Sequence, residues 1–147
     1  MTRRLALVPP LTVPAARYVN ATLVEVHDGD TFRCLADRLD DDLSEWNIRV
    51  LGAAANELDD PGGPEAGVDL ARRLPVGTAV VLAGLRPDKY GGRHLARVFY
   101  AAPDGTVLDL AEQLVLDGWA APWDGKGEQP RPAWPRIPTV VEQPLAA

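Results

Sequence analysis

The chain has a single cysteine, Cys34. It can therefore form neither an internal disulfide nor a cysteine-cluster zinc site, and Cys34 reads as a small buried hydrophobe in a strand. No apolar run approaches the roughly 20 residues that cross a bilayer. After Arg3 and Arg4 only Leu5 to Val8 precede Pro9. That stretch is shorter than the apolar region of about 7–15 residues in a secretory signal, so the expectation is a cytoplasmic or virion-associated protein. Internal repeats are absent. Basic charge is also scarce: 15 Lys+Arg stand against 21 Asp+Glu, for a net charge of −6 and a pI near 4.8. Between Arg17 and Lys126 there are 11 basic and 19 acidic side chains. Proteins that track phosphate backbones draw affinity from basic faces, so this balance works against nonspecific nucleic-acid binding.

What is present is an ordinary globular composition, 46% hydrophobic and 24% charged, in 147 residues. One domain with its own core is expected. Proline marks the two ends. Pro9, Pro10 and Pro14 fall in residues 1–16, and Pro130, Pro132, Pro135, Pro138 and Pro144 in residues 127–147. Proline lacks an amide donor and fixes φ, so both ends read as extended arms around a domain at 17–126.

Within that domain, alternation predicts strands at Tyr18–Val26, Thr31–Ala36, Trp46–Ala53, Thr78–Leu85 and Arg93–Tyr100. His27-Asp28-Gly29-Asp30 is a turn between the first two. Pro64 suits the first turn of a helix over Glu65–Leu74. Leu108–Leu116 reads as a second helix with Asp109 at its start and Gly118 as its stop. Five strands, one helix after the third and another at the end, predict a mainly β α+β fold: a five-stranded OB-fold barrel with two helices and proline-rich arms.

Three segments carry candidate chemistry: Asp28-Gly29-Asp30-Thr31, Arg49-Val50-Leu51-Gly52-Ala53-Ala54-Ala55-Asn56-Glu57, and Asp88-Lys89-Tyr90-Gly91-Gly92-Arg93. Each alone is common in turns and on surfaces. Taken in order, they resemble the active-site segments of the thermonuclease (staphylococcal-nuclease-like) family: a DGDT hairpin, an arginine strand of the form RLLGIDAPE and a DKYGR turn. Gly118 to Gly125 resembles a fourth family segment. The resemblance spans roughly Ala21 to Gly127.

The resemblance implies a Ca2+-dependent phosphodiesterase. Asp30 would ligate the ion with Asp28 in its outer shell, Arg49 and Arg93 would grip the scissile phosphate, and Glu57 would activate water. Lys89 and Tyr90 would touch flanking phosphate or base. Oxygen ligands for a hard cation, two guanidiniums and a carboxylate base suit that chemistry.

Three departures matter. The family's second metal-ligating carboxylate falls on Ala54, and Asn56 replaces the loop proline. Calcium wants six to eight oxygens, and affinity follows ligand charge. A second glycine, Gly91-Gly92, also precedes Arg93. His27 and His94 read as structural, and Asp30 is equally explained by the side-chain-to-backbone bonds of the turn. Two functions therefore stand. One is a nuclease for single-stranded or frayed DNA or RNA. The favoured one is a degenerate nuclease fold serving as a structural or binding subunit of a larger assembly, with a bacteriophage particle as one setting. Partner chains would hold its arms, and no metal would be needed.

Overall fold

The computed structural model describes residues 18–37, 43–87 and 92–139. Lys89, Tyr90 and the N-terminal arm lie outside them. The chain order is β1 (Val19–Asp28), β2 (Thr31–Asp37), β3 (Leu43–Val50), β4 (Gly52–Ala55), α1 (Gly63–Arg73), β5 (Ala79–Pro87), β6 (His94–Ala101), β7 (Val107–Asp109), α2 (Leu110–Leu116) and β8 (Ala120–Trp123).

The five anticipated strands form the barrel. The main sheet runs β3-β2-β1-β5-β6-β7, and a parallel pairing of β3 with β6, Ile48 opposite His94 through Val50 opposite Ala96, closes it. Closure leaves β3 no open edge where β6 pairs with it. Alternating inward residues fill the interior: Leu23, Phe32, Cys34, Ile48, Val50, Leu82 and Val98 are all at most 2% exposed. Cys34 is thus the buried hydrophobe its strand position suggests.

α1 lies against β1. It buries Ala66 and Leu70, one helical turn apart, with Leu74 buried at its end. It starts two residues earlier than Glu65, with Pro64 in the first turn. The hairpin between β1 and β2 sits directly on it. A Cβ on Gly29 would lie 2.7 Å from the methyl carbons of both Ala55 and Ala66, far inside ordinary carbon contact. Gly29→Ala is therefore expected to cost about 1–3 kcal/mol, read as a lower urea midpoint at unchanged slope.

Other boundaries differ from the sequence expectation as well, and β3 begins at Leu43 rather than Trp46. The third strand breaks after Val50, because Gly52 takes φ 104°, a conformation open to glycine. The chain then leaves the barrel as β4, which pairs with β8, Ala54 opposite Ala121 and Ala55 opposite Ala120. Leu108 and Asp109 belong to β7 rather than to a helix. Asp109 is the cap of α2, and its Oδ1 accepts from the amides of Ala111 (3.0 Å) and Glu112 (3.5 Å).

Candidate phosphate-grip site and its strap

The site is built where the β1–β2 hairpin, the end of β3 and β4 converge. Asp28 Oδ1 accepts from the Asp30 amide at 3.1 Å, the turn bond expected of this sequence. Asp30 is 4% exposed. Its Oδ1 accepts from the Thr31 hydroxyl at 3.0 Å, and its Oδ2 accepts from the Ala55 amide at 2.9 Å. The hairpin is thereby tied to β4. Arg49 pairs with Thr31 across β2–β3, and its Nη2 stands 3.9 Å from Asp30 Oδ2.

Burial pushes the Asp30 carboxyl up to about 7. The neighbouring Asp28 charge adds to the rise, while the Ala55 amide and the Arg49 guanidinium oppose it only in part. Desolvation dominates because a carboxylate loses more hydration here than two amide and guanidinium contacts restore.

Arg49 is almost entirely buried, with a side chain 8% exposed. Its guanidinium carbon lies 4.8 Å from the centroid of the Trp123 ring, which β8 supplies. Arg49 Nη2 donates at 2.8 Å to Oε1 of Gln129, far along the chain. The other end of the same carboxamide donates to Glu57 Oε1 at 3.1 Å and to the Ala55 carbonyl at 3.3 Å. Arg49 and Glu57, which the resemblance pairs around a phosphate, are therefore bridged by a glutamine from the proline-rich segment. Arg93 is placed differently. It lines an adjoining polar cavity of about 420 Å³ with Glu25, His27, Thr31, Arg33 and Asn47, and the Asn47 amide donates to the Gly92 carbonyl at 3.3 Å. Thr31 is the residue common to both places.

The donor set does not fit calcium. Ala54 is fully buried and offers only a methyl group. Both Asp30 oxygens already accept from protein donors, and Asp28 Oδ1 is taken by a backbone amide. Asp59 and Asp60, which could have substituted, lie beyond Glu57, where Asp60 accepts from the Glu57 amide and pairs with Arg131. Among the described residues, no three His, Cys, Asp or Glu side chains gather as a metal site.

Sequence reasoning missed Gln129 and the role of Asn56. Residues 127–139 have neither helix nor strand, as their prolines dictate, yet they run across the barrel. The buried Asn56 amide donates to the carbonyls of Pro61 (3.2 Å) and Pro132 (3.1 Å). Arg131 pairs with Asp60. The Trp134 ring covers Gly62, where a Cβ would lie 2.5 Å from it, and meets Trp119 at 6.0 Å between centroids. Arg136 donates to the Asp117 carbonyl at 2.8 Å and stacks over Trp119, and the Thr139 amide donates to the Leu116 carbonyl at 2.7 Å. These contacts are mostly polar and partly wet: Trp134 is 41% and Ile137 73% exposed. Such bonds contribute about 1 kcal/mol each, against about 1 kcal/mol to order each backbone residue. Prolines reduce that second cost by restricting the free chain. The one signal in the sequence was Asn56, a polar side chain where the resembling motif has proline. Among known proteins, no family model matches the chain, and no curated protein matches it.

Proposed function

We propose that this chain is a nuclease-like OB barrel that does not cleave phosphodiesters and serves as a binding or structural module. The observation that carries the reading is the state of Asp30. Among the described residues it is the candidate for direct metal ligation at the junction of the hairpin and β4, with Asp28 beside it. It is desolvated, committed to the Ala55 amide and the Thr31 hydroxyl, and faces a strand whose corresponding position is Ala54. A calcium ion would share Asp30 with those donors and, with a methyl group at Ala54, would have to recruit most of its six to eight oxygens from elsewhere. What remains organised is the cationic half, a buried Arg49 on an aromatic face. That arrangement suits recognition of an oxyanion better than its hydrolysis.

Digestion of plasmid and single-stranded DNA with added calcium tests this, with Arg49→Ala as control. Equal, background-level cleavage by both proteins is expected. Calorimetric titration is expected to give no calcium binding tighter than about 1 mM, the weak end of oxygen-ligand sites. Cleavage that vanishes in Arg49→Ala would establish the nuclease instead, the reading favoured by the closeness of Asp30 to Arg49.

A further inference from the structure

We propose that residues 128–139 form a displaceable strap, in which Gln129 fills an oxyanion position on Arg49 that a phosphate-bearing ligand takes when the strap lifts. The proposal rests on reading the barrel as a binding module and names how its site is controlled.

Three observations converge on it. First, Gln129 Oε1 lies at hydrogen-bond distance from Arg49 Nη2, as a phosphate oxygen would. A guanidinium binds an anionic oxygen more strongly than a neutral carboxamide oxygen. Gln129 is thus a weaker occupant than the ligand it excludes. Second, the carboxamide uses both its ends. Its nitrogen binds Glu57 and the Ala55 carbonyl, so it neutralises no charge but satisfies donor and acceptors together. An arriving phosphate would meet the Glu57 carboxylate uncovered, which favours ligands that reach Arg49 while leaving Glu57 to solvent. Third, the strap is fastened away from Arg49 as well. Asn56 holds the Pro132 carbonyl and Gly62 leaves room for the Trp134 ring. The segment is thereby held at several separate points, so it can lift as a unit only when these polar, partly exposed contacts give way together. The Trp123 ring under Arg49 holds the guanidinium in place whether or not the strap is seated. The shared chemistry is a phosphate oxyanion, whether on a nucleic-acid strand or free.

The test measures anisotropy of a short labelled oligothymidylate with the full-length protein, at low ionic strength to limit screening of the −6 net charge. EDTA is present throughout. Relative to wild type, Gln129→Ala is expected to bind at least about tenfold tighter, the scale of one hydrogen bond to a charged group. Asn56→Ala, which frees Pro132 without altering Arg49, should give a smaller gain. Adding Arg49→Ala to Gln129→Ala should abolish the gain. Inorganic phosphate that displaces the strand from Gln129→Ala at millimolar concentration would identify free phosphate as sufficient. Failure to displace it would assign recognition to the strand.

Amide exchange supplies a second readout. The Thr139 amide, bonded to Leu116, should be protected in the free protein and exposed in Asn56→Ala saturated with oligothymidylate. Unchanged affinity in both Gln129→Ala and Asn56→Ala, with native circular dichroism, would overturn the strap. So would a gain that survives loss of Arg49. Arg49-dependent cleavage by Gln129→Ala on adding calcium would end the non-cleaving reading yet leave the strap standing. Unchanged affinity without cleavage would do the reverse.

Discussion

Arg97→Ala is expected to lower stability by about 3–5 kcal/mol, a large fraction of the roughly 5–15 kcal/mol typical of a domain. Arg97 lies in β6 at 5% exposure, and its Nε donates to Asp109 Oδ2 at 3.1 Å while Nη2 pairs with the same oxygen. Asp109 is itself 4% exposed and caps α2 with its other oxygen. Removing the guanidinium would strand a carboxylate that cannot reach water, and the cap would carry the penalty into the helix. α2 packs on β8 and β4, so the loss would reach Trp123 and the site. Urea unfolding followed by circular dichroism measures the effect. The comparison that isolates the buried charge is Arg97→Met alone against Arg97→Met with Asp109→Ser. Serine still caps the helix but brings no charge, so the double variant should be the more stable of the two. A loss below about 1 kcal/mol in Arg97→Ala, the size expected of a surface pair, would mean that the ion pair is not buried in solution.

Asp30→Asn is expected to stabilise the protein at pH 8 by up to about 4 kcal/mol and to flatten its pH dependence. The sign follows from proton counting. Asp30 titrates near 7 in the fold and in the ordinary carboxylate range when unfolded. Between those values the folded state holds the extra proton, so stability falls as pH rises from about 4 to about 7. Above 7 the full penalty of a buried carboxylate beside Asp28 is present, and below 4 it is gone. Asparagine keeps an oxygen for the Ala55 amide and can donate to Asp28, so the hairpin tie survives while the charge does not. Thermal melts of both proteins between pH 4 and 8 should converge at the acid end and separate toward neutrality. Parallel curves would show that Asp30 is ionised throughout. The same residue thus makes the site costly to keep at neutral pH.

The barrel was legible in the sequence because its strands declare themselves locally. β1 and β2 alternate buried and exposed positions, β5 is a short apolar run rich in β-branched residues, Asp28-Gly29-Asp30 demands a turn, and Pro64 suits a helix start. The grouping of Asp30 with Arg49 was legible from their segments. β4 and β8 were not. Gly52-Ala53-Ala54-Ala55 has little β-propensity of its own, and it is a strand because residues 120–123, far along the chain, pair with it. Gln129 was invisible for the same reason. Nothing in a proline-rich segment specifies the surface on which it lies, and its extended backbone suits a free arm and a docked one equally. Only Asn56 hinted at a partner, and its meaning depends on Pro132 lying opposite.

The pairing of β3 with β6 has a consequence for how the molecule is made. Val50 leaves the ribosome long before Ala96, its partner in the parallel closure. Until β6 is synthesised, any meander of β1, β2 and β3 leaves backbone groups of β3 unpaired along the edge that β6 will cover. Contacts so distant along the chain close slowly, so the nascent first half is the stage most exposed to edge-to-edge association with its neighbours.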